Sequence, residues 1–486
     1  MSPRPAVTAG ALKRLLDCER RLWRSEHARD SIAERTEHDE VLSERNRALE
    51  DRIAEGIPDL AGPMLARGVS FQDAAAASLR LLRETARPVR RPVLLSADGR
   101  RAATPAFVLR EGRSLVVRDV RLAHRPGVRR ENRVRLAFAG WLARELTGLE
   151  VARLELVNGL GEVVVVDPEP GESDAELARL TARALELLGD SPEPDLLLAH
   201  SHCQHCTHYQ HCWDRAEAER RIEVMPLVTR SRAALLHAEG VRTFDELAAR
   251  APESFRHRDL RAHARALLEE ARAFATGEPV WLRPPALPRG RTLVWFDVES
   301  DLDGERAEVP VYLWGLAVEP SGNAGDLAFE PVLADLTPAG DRDAWRRFTS
   351  RALEVSREHP DAVWVHWHAA EPMWIDRYIA RLGAPDAFVR AVRAPGTLLD
   401  LHRELERCVR LPLRSTSIKF VAPWLGFAWS NPEADAAWST AQLHRAREAA
   451  DPAERARILA EVARYNEDDL QAMRVVWRWL EGARAT

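Results

Sequence analysis

Thr292-Leu293-Val294-Trp295-Phe296-Asp297-Val298-Glu299 is the stretch on which the reading of this chain turns. A short apolar run rich in β-branched and aromatic residues predicts a buried strand. Here the run ends in two acids at i and i+2. Alternate side chains of a strand share a face, so Asp297 and Glu299 point the same way. Two carboxylates held side by side repel each other unless a cation lies between them, which predicts a metal site. A lone Asp-x-Glu at a strand end is also what a solvated loop entry looks like, so the flanking sequence has to decide.

Downstream, the pattern from Arg291 reads strand (Leu293–Val298), strand (Val309–Val318), strand (Leu327–Leu333), helix (Arg342–Glu358), strand (Ala362–Trp367) and then several helices. That order predicts an α/β layer with a mixed sheet. His366-Trp367-His368-Ala369-Ala370-Glu371 spans a strand end and a helix start, placing Glu371 at the sheet edge. Far downstream, Tyr465-Asn466-Glu467-Asp468-Asp469 lies in a helical run whose apolar stripe is Ile458, Val462, Leu470, Met473 and Val476. Tyr465 and Asp469 are i and i+4, on one helix face. The same acidic run would suit an exposed helix face, and Asp468 competes with Asp469 if the register shifts by one.

D-x-E, a strand-end acid and Y-x3-D, in this order, resemble the DEDDy exonucleases of the ribonuclease H-like superfamily. More narrowly, residues 291–483 look like the YprB-type ribonuclease H-like domain. The resemblance implies a phosphodiesterase in which Asp297, Glu299, Glu371 and Asp469 hold two Mg²⁺ or Mn²⁺ ions roughly 4 Å apart, with Tyr465 orienting the attacking water. Glu at 371, where the common form has Asp, is similar to the YprB-type variant. Asp400 would stand behind these ligands.

Upstream, residues 201–212 read Ser-His-Cys-Gln-His-Cys-Thr-His-Tyr-Gln-His-Cys. The spacing Cys203-x2-Cys206-x5-Cys212 lets three thiolates converge on one centre, which needs a fourth ligand. His202, His205, His208 and His211 offer one to zinc, and Cys18 offers one from 185 residues away. The context Leu12-x5-Cys18-x3-Leu22-Trp23, closed by C-x2-C-x5-C, resembles the iron–sulfur RecB-type nucleases, including the Cas4 and AddB families. That resemblance implies a [4Fe–4S] cluster on Cys18, Cys203, Cys206 and Cys212, with Zn²⁺ as the alternative. The whole chain resembles the RecB-family nucleases of the TM0106 type. Cys408, alone in Glu404-Leu405-Glu406-Arg407-Cys408-Val409, reads as a buried helical residue.

A RecB-type (PD-(D/E)xK-like) core should also carry an Asp, a Glu-x-Lys and a Gln-x3-Tyr. Their places read Thr104-Pro105-Ala106-Phe107, Asp119-Val120-Arg121 and Arg135-x3-Ala139. No lysine lies between 90 and 140, and arginine substitutes poorly because its guanidinium stays charged and reaches differently. This domain therefore reads as a degenerate, non-catalytic nuclease fold with Asp119 and Glu50 as remnants. Arg121, Arg125, Arg129, Arg130, Arg133 and Arg135 form either a phosphate-holding cluster or a solvated basic surface.

Leu235 to Leu247 fits a helix, a turn at Gly240 and a second helix capped by Thr243. This is similar to a helix–hairpin–helix, whose turn amides contact phosphate, although many helical hairpins touch no nucleic acid. The predicted organisation is α/β and multidomain: a RecB/Cas4-like domain over 1–222, a helical hairpin connector over 223–285 and a ribonuclease H-like domain with a mixed sheet over 286–486.

Composition sets the outer limits. The chain has 486 residues, 45% apolar and 30% charged, with net charge −5, an ordinary globular balance that excludes low-complexity and collagen-like classes. The longest apolar runs, such as Val163–Val166 and Leu196–Ala199, fall far short of a membrane span. No signal-peptide pattern opens the chain, so a cytoplasmic location is expected. Only Lys13 and Lys419 among the 70 basic residues are lysine. No Gly-x4-Gly-Lys-Ser/Thr is present, so a helicase would have to be a separate partner. Two functions follow: a metal-dependent 3′→5′ exonuclease on DNA or RNA, or a catalytically silent nucleic-acid-binding subunit of a repair or processing complex.

Overall fold

The computed structural model describes residues 7–28, 37–65, 68–122, 129–167, 169, 173–198, 203, 206–301, 307–322 and 325–483. The chain forms two compact units. Met1–Leu196 and Ser201–Cys212 make the first; Leu197–His200 and Trp213–Thr486 make the second. The expected helical connector is part of the second unit's compact body.

In the first unit the amphipathic N-terminus forms two short helices. It breaks at Cys18 into α1 (Ala9–Asp17) and α2 (Glu19–His27). Cys18 is extended (φ −169°, ψ 127°) and stands between the two. Leu12, Leu15 and Leu22 nevertheless share the buried side. The strands β1 (Val89–Arg90), β2 (Phe107–Glu111) and β3 (Ser114–Val120), the helix α3 (Arg130–Thr147), and the strands β4 (Val151–Val157) and β5 (Val163–Val165) follow. They form a five-stranded sheet in sequence order. β3 and β4 run parallel because α3 carries the chain across; the other pairs are antiparallel. Asn158 closes the hairpin between β4 and β5: its Oδ1 accepts from the amides of Leu160 and Glu162. Helix α4 (Asp174–Leu188), N-capped by Ser173, completes the core by setting Leu177 and Leu180 in one cluster with Phe138 and Leu142.

Ahead of its sheet the second unit carries the helices α5 (Arg230–Ala238), α6 (Phe244–Ala248) and α7 (Arg258–Thr276). Gly240 takes the left-handed turn between the first two (φ +79°). The amides that a helix–hairpin–helix would offer to phosphate are taken from within. Glu246 Oε2 accepts from the backbone N–H of Arg242 at 2.8 Å and of Thr243 at 3.1 Å, closing a capping box. A carboxylate occupies the place of the anion.

Then come β6 (Leu293–Ser300), β7 (Val311–Glu319), β8 (Phe329–Leu333), α8 (Pro338–Glu358), β9 (Val363–His366), α9 (Ala370–Leu382), β10 (Leu398–Asp400), α10 (Leu401–Cys408), α11 (Ile418–Trp424), α12 (Ala436–Glu448) and α13 (Pro452–Gly482). The sheet order is β8-β7-β6-β9-β10. β6 is its centre, antiparallel to β7 and parallel to β9. Strand alternation gives β6 two dry faces. Val294 and Phe296 enter an aromatic core with Trp314, Phe348 and Trp364. Leu293 and Trp295 face α13, where Leu470, Met473 and Trp477 lie, and Trp295 meets Trp477 edge-on at 5.8 Å. Asp297 and Glu299 continue that second row, so the packing of α13 on β6 delivers both acids to the helix.

Candidate active site

The helix brings the acids together. Asp297, Glu299 and Asp469 each place a carboxylate oxygen within 4.8 Å of the others, the one such metal-ligand group among the described residues. Glu299 and Asp469 are buried. Glu371, in the first turn of α9 and buried, shares a hydrogen bond with Asp297. Its Oε2 lies 3.4 Å from His366 Nδ1.

Burial and mutual repulsion have the expected effect. Desolvation, then the neighbouring carboxylates, pushes Asp297 and Glu299 well above the ordinary carboxylate range. Desolvation also raises Asp469, and it raises Glu371 to about 8. Such a cluster is uncomfortable without a cation. Its all-oxygen donor set suits Mg²⁺ or Mn²⁺ rather than a soft metal.

Tyr465, also buried, donates to Asp469. Burial, and then the carboxylates of Asp469, Glu299, Asp297 and Asp435, raise its phenol far above the usual value, so it stays protonated. Asp468 faces elsewhere: its Oδ2 accepts from the amide and hydroxyl of Ser430 at 2.8 and 2.6 Å. Of the two acids that sequence left in competition, Asp469 is the one in the cluster. Asp400 N-caps α10, its Oδ1 accepting from the Arg403 amide at 2.9 Å.

Several residues that sequence reasoning missed hold the cluster in shape. Asn466 is fully buried and donates from Nδ2 to Asp297 Oδ2 at 2.5 Å and to Glu299 Oε1 at 3.3 Å. Gly315 pairs with Asp297 across β6 and β7, and a Cβ there would lie 1.8 Å from Asn466 Oδ1. Ser439 Oγ donates to Glu299 Oε2 at 2.8 Å. Trp429 Nε1 donates to Asp469 Oδ1 at 2.8 Å, and Lys419 Nζ lies 3.1 Å from the same oxygen.

The cysteines of the first unit lie near one another but less tightly. The amide of Cys206 donates to the carbonyl of Cys203 at 2.8 Å, and that of Cys212 to His208 at 3.1 Å. The Cys18 thiol acts on Cys206, and Cys206 on Cys212, while Arg21 and Arg20 stand beside them. Burial raises both thiols. Of the alternative histidines, His208 is buried and His211 exposed; His202 and His205 lie outside the described residues. Cys408 is buried in its helix with Sγ 3.2 Å from Glu404 Oε1.

Asp119 and Glu50, the two acids singled out from the sequence of that unit, are both paired with arginine. Arg121 lies 2.8 Å and Arg135 3.6 Å from Asp119 Oδ2. Glu50 accepts from Arg91 Nε at 2.7 Å and Nη2 at 3.0 Å, and from Arg90 Nε at 3.0 Å. Arg133 pairs with Glu169 at 2.7 Å, and Arg129 lies 3.8 Å from Glu131. Arg125 is outside the described residues.

Residues 294–481 match the family model of the RNase_H superfamily. No curated protein matches the chain. The second unit thus carries a ribonuclease H-like domain, and nucleases of that type use divalent metals. No helix among the described residues is long and apolar enough to cross a membrane.

Two outcomes follow from this geometry. Gly315→Ala drives a methyl into Asn466 and should destabilise the second unit by ~1–3 kcal/mol, read by urea unfolding. The carboxylates of the cluster have raised folded pKa values, so without a cation their contribution favours the fold at low pH and is lost as pH rises, the share of Glu371 by about 8. In EDTA the midpoint of thermal unfolding should therefore fall by about 5 °C or more between mildly acidic and mildly alkaline buffer, and Mg²⁺ should restore most of it.

Proposed function

We propose that this protein is a divalent-metal-dependent nuclease, a 3′→5′ exonuclease on DNA or RNA. The carrying observation is the convergence of Asp297, Glu299 and Asp469 between β6 and α13, inside the segment that matches the RNase_H superfamily. In this reading Asp297, Glu299 and Asp469 hold one ion, and Asp297 with Glu371 holds the second. The ions, when bound, activate water and neutralise charge developing on the phosphate. Tyr465 acts as a donor that orients the attacking water; its protonated phenol is unsuited to be the base. Asn466 and Ser439 keep Asp297 and Glu299 in place against the repulsion that would part them.

We read the first unit as a RecB/Cas4-like platform without nuclease chemistry of its own. The pairing of Asp119 and Glu50 with arginines supports this, since guanidinium groups sit where a metal would need open carboxylates. The four cysteines would carry a [4Fe–4S] cluster that staples the two ends of the unit, Zn²⁺ being the alternative. The partner of the whole protein would be nucleic acid, with unwinding left to a separate helicase.

The test is cleavage of 5′-labelled single-stranded DNA and RNA in Mg²⁺, Mn²⁺ or EDTA. A metal-dependent ladder shortening from the 3′ end is expected, lost in Asp297→Ala. Tyr465→Phe should slow it by about tenfold, the worth of one hydrogen bond made in the transition state. Cleavage persisting in Asp297→Ala would sink the assignment. A fully metal-loaded protein inert on both polymers would favour the silent repair subunit. For the cysteines, anaerobically purified protein should show the broad visible absorption of an iron–sulfur cluster, bleached in Cys206→Ser. Colourless protein with stoichiometric zinc would decide for the alternative.

A further inference from the structure

The three stretches of the first unit that stand in the places of the RecB-type motifs meet at one cavity. Thr104 and Pro105, Asp119, and Arg135 with Ala139 all line it, and its volume is about 280 Å³. Phe71 and Leu136 add apolar wall. Asp119 and Arg135 are the only charged residues among the described ones that line it, and they are not a pair. Arg121 holds Asp119 Oδ2 at 2.8 Å, whereas Arg135 Nη2 stands 3.6 Å from that oxygen, beyond hydrogen-bond reach. No other described residue partners the Arg135 guanidinium, and its Nε is buried without a hydrogen bond. A guanidinium cannot shed the cost of burial by losing a proton. An anion that enters the cavity can offset that cost. Ala9 and Gly10, the first two residues of α1, lie in the same wall, so the positive end of that helix adds to the field.

We propose that this cavity is an anion site for a phosphomonoester, with Arg135 as its binding residue. The RecB-type pattern places acids and a lysine around metal ions. Here an unpaired guanidinium fills one of those places and the nearest acid is taken by Arg121, so the preference of the site is reversed in sign. The volume suits one small ligand. Phe71 and Leu136 offer an apolar surface to the sugar or base that the phosphate carries. The choice of phosphate among anions rests on the nuclease reading above, in which the released nucleotide is a phosphomonoester; the anion site itself does not. A free nucleotide and the 5′-phosphate end of a strand supply the same chemistry.

The test is titration calorimetry on the full-length chain in EDTA, where the acid cluster of the second unit has no metal with which to attract phosphate. The probes are inorganic phosphate, a nucleoside 5′-monophosphate, acetate, and a short oligonucleotide with or without a 5′-phosphate. Wild type should bind a phosphomonoester, and Arg135→Gln should bind it about tenfold more weakly or worse. Asp119→Asn, which removes the opposing charge, should bind it several-fold more tightly. Equal affinity for the free nucleotide and the phosphorylated strand would support the site and name the nucleotide as its ligand. Binding of the phosphorylated strand alone would support it and name a strand end. Acetate as tight as phosphate, or a 5′-hydroxyl strand as tight as the phosphorylated one, would overturn the phosphomonoester assignment. Folded wild type that binds no probe, or Arg135→Gln that binds like wild type, would overturn the site whatever the cleavage assay shows. If Arg135→Gln does not fold, an Asp119→Asn protein that binds no more tightly would overturn it instead.

Discussion

Four carboxylates gathered in one dry place form the constraint around which the second unit is arranged. Each would ionise readily in water; here burial and mutual repulsion push all of them upward. A fold tolerates such a cluster only where neighbouring donors offset part of the repulsion and a cation can complete it. Asn466, Ser439, Trp429, Tyr465 and Lys419 are those donors, and each comes from a helix or loop packed on the end of β6. The sheet, the helix α13 and the loop before α12 thereby serve one local requirement.

The packing that delivers these groups is hydrophobic and lies elsewhere. Trp295 and Leu293 bind α13 through Met473, Trp477 and Leu480, well along the helix from the acids. Glu319 fixes the same contact by accepting from Trp295 Nε1 at 2.8 Å and from Arg474 Nη2 at 2.9 Å. The apolar end of the β6–α13 interface supplies the stability and the acidic end spends part of it. Separating the two explains how a destabilised cluster persists in the fold.

How much of this was legible in the chain depends on how local each signal is. β6, β7, β9 and the long last helix follow from period-2 and period-3.6 patterns, and with them Asp297, Glu299, Tyr465 and Asp469. The choice of Asp469 over Asp468 needed the loop at Ser430, which no helical pattern contains. Asn466 looked like one more polar residue in an exposed run, yet it is fully buried because Gly315, across the sheet, leaves room for it. Lys419 carried a compositional signal, rarity, but its position at the cluster depends on a tertiary contact between α11 and α13. In the first unit Leu12 and Leu22, quoted as the setting of Cys18, both turn out buried, but nothing in that setting announces the break at Cys18. The hairpin at Gly240 was read correctly as a shape, while its amides turned out to be satisfied by Glu246.

The central claim is that the Asp297, Glu299 and Asp469 oxygens enclose a divalent cation. Anomalous X-ray scattering from crystals grown with Mn²⁺ tests it directly. The account predicts a strong peak among these three carboxylates, with Asn466 and Lys419 still in contact with their acids. A peak confined to other sites, or a cluster left empty at saturating Mn²⁺ in well-ordered crystals, would contradict it.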